Sequence, residues 1–521
     1  MSNQETTKKL KLEVNNVNYN QLDELRTDEI DIALGASNNL QELNKRVLWK
    51  TDLHILPLIT LAYLLNYLDR TNLGNSRTLN NDIEGGTMGE QIGLSSDRYN
   101  IIVCLFYVPY VLFEFPSNIL MKKFTPSVHL SRIITLWGAI TICTAAVNNY
   151  AGMIAIRIAM GIAEVCYPSS ERSLLTCLSG RFLPRLYLLL RLLVSERNPN
   201  LHTTERNRYK PSERATRMAI FASFTSLSGA FSGLIATGCS YLNGKGGIPG
   251  WKYLFILEGI PTIIIGVSIY FFLPDYPETA KFFTSEERAA CLQRLGADTP
   301  KMSDSSFDKR SFIEVLKSLD FYIFAATYFL LAMGLNAFSY FGPTIISDLG
   351  YQGVQAQLLT VPPNAFATLV IILNSFLSDK LKHRPGFILI GISMVFIGYL
   401  VLAVESSLIG RMAAVFLIAS TNAAVMPFLA YRLETVKFRN ATATGLASSG
   451  TIAISNCSGI AAPFLFPSSD GPEYKMGSWT LVGMFTLSAL VTIFLWFRFG
   501  NGANDELEME TSTDSEKKTA A

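Results

Sequence analysis

The stretch LHILPLITLAYLLNYLDRTNLGNSR, residues 53–77, decides how the chain is read. From Leu53 to Leu68 it is apolar apart from His54, Thr60, Asn66 and two tyrosines. Asp69 and Arg70 then stand side by side, followed by Asn72, Gly74 and Asn75. A helix needs about 20 apolar residues to cross a bilayer, and this run reaches that length only if the Asp-Arg pair lies inside or at the edge of the span. A charge at the centre of a membrane helix costs roughly 2.5–3.5 kcal/mol on insertion scales, so such residues are rare and mostly functional. Either the pair anchors a helix end in the headgroup layer or it belongs to a site inside the membrane, and the cost favours the site.

The rest of the chain repeats the apolar pattern. Of 521 residues, 49% are hydrophobic and 17% charged, with a mean hydropathy of +0.27, whereas soluble domains carry about 25% charge. Apolar runs of membrane-spanning length fall at 54–74, 99–120, 129–148, 151–171, 215–240, 252–273, 319–342, 354–378, 386–404, 408–431, 441–466 and 478–499. The expectation is an all-α membrane protein with twelve transmembrane helices. The N-terminus is polar through Lys50 and so offers no cleavable signal peptide. The seven cysteines are scattered, mostly within apolar runs, which is no disulfide framework.

Charge distribution orients the chain. Lys45, Arg46 and Lys50 precede the first span, and positive residues return at Lys122/Lys123, Arg214/Arg217, Lys281/Arg288, Lys380/Lys382/Arg384, Arg432/Lys437/Arg439 and Arg498, all in loops on the side of the N-terminus. The opposite loops are acidic or neutral, with Asp82, Glu84, Glu90 and Asp97 after the first span. The positive-inside rule then places both termini in the cytoplasm. Residues 1–45 lack apolar periodicity and read as mostly disordered. The expected organisation is a cytoplasmic N-terminal tail (1–50), a six-helix half (51–273), a cytoplasmic central loop (274–318), a second six-helix half (319–499) and a cytoplasmic C-terminal tail (500–521). Short basic turns follow spans 2 and 8 at PSNILMKKFTPS (116–127) and SDKLKHRPG (378–386), equivalent places in the two halves. Two six-helix halves are the organisation of the major facilitator fold, with a substrate site at the midplane between them. One segment stands apart: 171–209 holds seven arginines and no lysine. Its apolar run from Phe182 to Val194 is interrupted by Arg185 and Arg191 and is too short to span. Counting it as a crossing would put the Lys380–Arg384 cluster outside, so it reads as an interfacial helix, a cytoplasmic insertion, or sequence from a shifted reading frame.

Several motifs resemble one family. NYLDRTNLGNSR (66–77) is similar to the first-helix signature of the anion:cation symporter branch of the major facilitator superfamily, the fungal allantoate permease-like members above all. EFPSNILMKKF (114–124), RIAMGIAE (157–164), SERATRMAIFAS (212–223), GWKYLFILEGIPTIIIG (250–266), FLPDYPETAKFFTSEER (272–288), QAQLLTVPPNAFA (355–367) and GLASSGTIAISN (445–456) agree with it. The resemblance covers residues 45 to 500 and departs at 171–209, where members of the family have a much shorter loop. It implies secondary active uptake of a small organic anion with protons, by a monomer in the lipid bilayer of the plasma membrane. Nicotinate, allantoate or a related vitamin or ureido acid is the substrate class. Export of an acidic metabolite and non-transporting nutrient sensing are the rival readings, the short polar tails speaking against the second.

The chemistry rests on charges inside apolar spans. Arg157, Gly161 and Glu164, at i, i+4 and i+7, share one helix face. They serve either a structural ion pair that holds this helix to a neighbour or a site in which the planar arginine fork receives a carboxylate. The resemblance implies proton-coupling roles for Asp69 and Glu164 and substrate-anion binding for Arg70 and Arg157. It also matches Tyr67 and Tyr110 to substrate-lining positions, with Asn456 a further candidate. Burial raises a carboxyl pKa and a nearby guanidinium lowers it, the balance that a coupling acid requires. Lys122, Lys123, Asp379, Lys380 and Arg384 read as cytoplasmic gating contacts. The four histidines are isolated, so no metal site is expected. No nucleotide-binding motif, cofactor site, nucleic-acid site or catalytic constellation is apparent, and the chain does not read as an enzyme.

Overall fold

In a bilayer core every backbone N–H and C=O needs an internal partner, and a helix supplies those partners within one segment. The computed structural model describes residues 19–120, 126–164, 211–273, 282–288, 309–405, 407–436, 438, 441–467, 470–471 and 473–501. Among them the regular elements are all helical. Within the described residues the apolar runs fall on helices, the eleventh continuing past Asn456 as two short helical pieces: α1 (Tyr19–Thr78), α2 (Ser96–Leu120), α3 (Pro126–Thr144), α4 (Tyr150–Glu164), α5 (Pro211–Ser240), α6 (Gly250–Phe272), α7 (Leu319–Asp348), α8 (Gly353–Leu381), α9 (Arg384–Val404), α10 (Leu408–Thr435), α11 (Ala441–Asn456) and α12 (Lys475–Phe499). By length and composition, α6 to α10 and α12 can each cross a membrane. Lys122, Lys123 and the segment 171–209 lie outside the described residues.

α1 is longer than the sequence pattern predicts. The helix runs back to Tyr19 through a polar stretch where disorder is the expectation. Helix formation there needs no apolar face, because residues 19–46 hold five leucines, three glutamates, two glutamines and two alanines, all good helix formers. Beside the span, Val47 packs with Phe283, and His54 stacks on Phe282 at 4.2 Å. Lys50 Nζ reaches both carboxylate oxygens of Glu287 at 2.8 and 2.9 Å. The start of the first span is thereby tied to residues 282–288.

Without a hydrophobic drive between helices in lipid, small residues that permit close backbone approach decide the contacts. At Gly161 a Cβ would collide with the Phe106 carbonyl, which sets α4 directly on α2. At Gly74 a Cβ would lie 3.0 Å from the Tyr340 carbonyl, where α1 crosses α7. The halves meet through α1 with α7, α5 with α8 and α10, and α2 with α11. Described hydrogen bonds between the halves lie in two places. In the middle, Tyr107 donates to Asn336 and shares a bond with Tyr340, both 3.0 Å, and Asn422 donates to Thr225 at 2.7 Å. At the end marked by the α1–α2 turn, Asn81 donates to Ser347 (2.9 Å) and accepts from the Gly353 N–H (2.8 Å), while Gln357 donates to Thr78 (2.9 Å).

Candidate functional site

The charges that stood out in the sequence converge between the halves. Arg70 reaches Glu164 Oε1 from Nη2 at 2.6 Å and from Nε at 3.0 Å, and Asn66 donates to the same oxygen at 2.8 Å. One carboxylate oxygen of α4 thus takes three donors from α1. Bonds to charged groups are worth about 1.5–3 kcal/mol each. Glu164 is fully buried, and its other oxygen, Oε2, has no hydrogen-bond partner. The Arg70 guanidinium lies 5.5 Å from the Tyr67 ring, 5.7 Å from Phe106 and 5.5 Å from Tyr110. A cation over aromatic faces recovers some of the hydration that it gives up.

Arg70 forms part of the wall of a cavity with an empty volume of about 630 Å³. Tyr67, Tyr110 and Asn456 line the same cavity, so four of the residues picked from sequence meet there, joined from α7 by Tyr328, Asn336 and Tyr340. A second cavity of about 590 Å³ shares Tyr67, Leu335 and Ser339 with it and extends to Asn75, Thr225 and Asn364. Both are mostly aromatic and uncharged-polar in lining, the character of a small-molecule site with few fixed polar groups.

Asp69 and Arg157 stand just behind this wall. Asp69 is buried and faces α3, where it accepts from Trp137 Nε1 at 2.8 Å and from Thr141 at 3.3 Å. Arg157 and Glu164 act on it electrostatically, and it in turn acts on Glu258 of α6. Arg157 is 4% exposed, and its Nε and Nη2 are buried with no hydrogen-bond partner. Nη1 has only the Met160 sulfur, at 3.7 Å. The guanidinium acts electrostatically on Tyr340, a wall residue of the first cavity. An isolated buried charge is held only at large cost unless something pairs with it. The ion pair that holds α4 to a neighbour is Glu164 with Arg70 of α1, and Arg157 is left with donors to spare.

Away from this centre, Arg384 at the start of α9 binds Asp379 at the end of α8 and Glu434 at the end of α10. The Glu434 contact is two-pronged, at 2.9 and 3.3 Å. Lys380 is exposed and outside this cluster among the described residues. Glu434 was not evident from the sequence, because the turn that supplies it holds only ordinary surface charges.

Sequence reasoning also passed over Glu258 in α6, which is 3% exposed and accepts a hydrogen bond from Asn72. Its signal was present: an acid inside an apolar span, the same feature that singled out Glu164. Trp137, Thr141 and Asn66 carried no such signal, since residues of these types in a span also serve as ordinary packing.

The sequence model of the Major Facilitator Superfamily matches residues 199–460. A fungal protein named "MFS transporter prlL" is 31% identical over 466 residues, 88% of this chain and 87% of its own length. The "Major facilitator-type transporter hxnP" of Emericella nidulans is 28% identical over 89% of this chain and 88% of its own. Among solved structures, a bacterial homologue of the human lysosomal transporter Spinster, in an inward-facing and unoccupied conformation, matches with a TM-score of 0.58 at 15% identity. It covers 87% of this chain and 98% of that one, a likeness of fold.

Proposed function

This chain belongs to the major facilitator superfamily of multi-pass membrane transporters, and we propose that it imports a small organic anion together with protons, as a member of the anion:cation symporter branch. The observation that carries the reading is Arg157: a buried guanidinium with two orphaned donors, whose charge acts on Tyr340 in the wall of the first cavity. A carboxylate entering the cavity supplies what those donors lack, a planar pair of acceptors matched to the arginine fork. Arg70, already turned toward the cavity, is the second anchor once Glu164 lets it go.

The proton enters through that competition. While ionised, Glu164 holds Arg70 with two short bonds; when it takes a proton the charge-assisted part of those bonds is lost and Arg70 is released to the substrate. Asp69, held by Trp137 and Thr141 and acted on by Arg157, stands in the same relation to Arg157. Substrate anion and protons then cross together while the halves rock about the site. Tyr67, Tyr110 and Asn456 shape the pocket around the substrate. Both termini face the cytoplasm of the plasma membrane, as the distribution of Lys and Arg indicates, and the Asp379–Arg384–Glu434 cluster holds α8, α9 and α10 together on that side as a gating contact.

The test is uptake of labelled carboxylates, nicotinate and allantoate among them, by cells expressing the chain at acidic and at neutral external pH. Uptake that rises at acidic pH, collapses with a protonophore and is lost in Arg157→Ala supports the proposal. Uptake indifferent to the proton gradient, or an Arg157→Ala variant that transports normally, overturns it.

A further inference from the structure

Glu258 takes no part in the mechanism above, yet it is as deeply buried as Glu164 and forms no ion pair among the described residues. Its Oε1 is buried without a hydrogen-bond partner. Of the helices packed on α6, α1 presents Asp69, which acts on Glu258 electrostatically, and α5 presents the Cys239 thiol. α3 presents uncharged side chains at this level, since Gly259 packs against Ile142. Its Arg132 and His129 lie ten or more residues away along α3, about 15 Å or more at 1.5 Å per residue. A buried carboxylate facing another acid and no cation is not stable as an anion through solvation alone.

What Glu258 does have is a one-way chain of donors. Asn75 donates to Ser232 Oγ at 2.5 Å, Ser232 donates to Asn72 Oδ1 at 3.3 Å, and Asn72 Nδ2 donates to Glu258 Oε2. Every donor points toward the carboxyl, so the chain is polarised to suit a negative charge at its end, and bonds in such chains reinforce one another. The chain crosses from α6 through α1 to α5 and returns to α1 at Asn75. Asn75 lines the second cavity, and its carbonyl accepts from Gln357 of α8 at 3.4 Å. Gln357 also holds Thr78, one of the contacts that close the halves at the α1–α2 end. A single acid in the first half is thus linked by hydrogen bonds to the side chain of Asn75, whose own backbone carbonyl meets the clasp with the second half.

We propose that Glu258 binds and releases a proton during the transport cycle, and that its charge, relayed through Asn72, Ser232 and Asn75, strengthens the clasp between α1 and α8. Ionised Glu258 draws the donor chain tight and holds the outer end closed; protonated Glu258 leaves the chain without its anchor, and the clasp loosens. This adds a third proton-carrying acid to the reading of Asp69 and Glu164 and rests on that reading for its place in the cycle, but its test needs no substrate.

The experiment is infrared difference spectroscopy of the purified full-length protein in lipid nanodiscs as the pH is stepped, following the C=O stretch of protonated carboxyl groups. Glu258→Gln is expected to remove one band that Asp69→Asn and Glu164→Gln leave in place. Asn72→Ala should keep that band but shift its frequency, because its hydrogen-bond donor is gone. A Glu258→Gln spectrum identical to the wild type overturns the proposal. So does an unshifted band in Asn72→Ala, the readout that decides if Glu258→Gln does not fold. A band abolished by sodium at fixed pH overturns it in favour of a metal cation. The clasp is read separately from the distance between spin labels at the exposed positions Ile83 and Gln352, in a chain whose seven native cysteines are replaced by serine. That distance should widen as pH falls in the wild type and stay constant in Glu258→Gln; an equal response in both overturns the link to the clasp. Loss of the band with no anion uptake by the wild type would sink the transport reading and leave this one standing.

Discussion

Replacing Glu164 by Gln probes the competition for Arg70 most directly. Gln keeps the size of the side chain and an oxygen that Asn66 and Arg70 can still reach, but removes the negative charge. Charge-assisted hydrogen bonds contribute about 1.5–3 kcal/mol and neutral ones about 0.5–1.5 kcal/mol. Each of the two Arg70 bonds, at 2.6 and 3.0 Å, therefore weakens by about 1 kcal/mol in the substitution, roughly 2 kcal/mol for the pair. Complete loss of the partner would cost more, about 3–5 kcal/mol for a buried pair, but the three aromatic rings around Arg70 offset part of that. In the wild type the same 2 kcal/mol must be overcome by a substrate that takes Arg70 for itself. At 1.4 kcal/mol per factor of ten, Glu164→Gln should bind the carboxylate up to roughly thirtyfold more tightly. It should also lose proton-driven accumulation while retaining exchange of internal for external substrate, since the carrier can move loaded but no longer resets through a proton. The assay is counterflow and pH-gradient-driven uptake in proteoliposomes, using the carboxylate identified by the uptake panel. Accumulation at the wild-type level, or a carboxylate affinity weaker than that of the wild type, would refute the competition.

Three further outcomes follow from contacts on the same chain. Gly161→Leu forces a side chain into the Phe106 carbonyl and should destabilise the protein by about 1–3 kcal/mol or more through overpacking, seen as a lower melting temperature in detergent; an unchanged melting temperature would show that α2 and α4 separate at no cost. Glu434→Gln weakens the two-pronged contact with Arg384; because Glu434 is 30% exposed, the expected loss is about 1 kcal/mol or less, and a drop of several kcal/mol would mean that the cluster is a structural keystone. The hydrogen bond from Lys50, reinforced by the Thr284 backbone N–H, holds the Glu287 carboxyl below the usual glutamate range. A depressed carboxyl contributes stability that is present above its unfolded-state pKa and disappears as pH falls through its folded-state value. Hydrogen exchange over 282–288 should therefore approach that of Lys50→Met as the pH drops below the glutamate range, and the two should differ at neutral pH; no difference at neutral pH would remove the contact from the account.

The helical membrane fold was legible because the membrane asks for one thing, long apolar helical segments, and reads it from composition; six helices among the described residues are long and apolar enough to cross. The polar stretch before Val47 was misjudged for the complementary reason: a helix outside the membrane needs neither an apolar run nor apolar periodicity, only residues that do not oppose it. Several of the residues singled out from the sequence come together in the structure. Arg70, Tyr67, Tyr110 and Asn456 meet at one cavity, and Asp69, Arg157 and Glu164 lie behind or beside it. How they pair was not legible. The sequence places Arg157 and Glu164 on one helix face, and the structure gives Glu164 to Arg70, 94 residues away. Spacing within a helix reports which side chains share a face; it says nothing of which neighbour that face meets.

That gap bears on mechanism, because the pairing is what makes the site capable of work. Had Glu164 paired with Arg157 on its own helix, both charges would be satisfied whether or not α1 stayed in place, and protonation would be a local event. In the proposed mechanism the pairing runs across helices, so that a proton on Glu164 would loosen the hold of α1 on α4 and the spare donors of Arg157 would receive the substrate. The Asn72 and Asn75 pair extends the same logic along α1: the helix carries the proposed anion anchor at Arg70, an acid at Asp69, a bond to the acid of α6 and, through Asn75 and Thr78, contacts with Gln357, while Asn81 just beyond its end meets Ser347 and Gly353 of the other half. Any change of charge at Asp69, Glu164 or Glu258 acts on α1, and any movement of α1 acts on the clasp. On the proposed mechanism, substrate, protons and closure all compete for α1, and the relay that joins them is the short one through Asn72, Ser232 and Asn75.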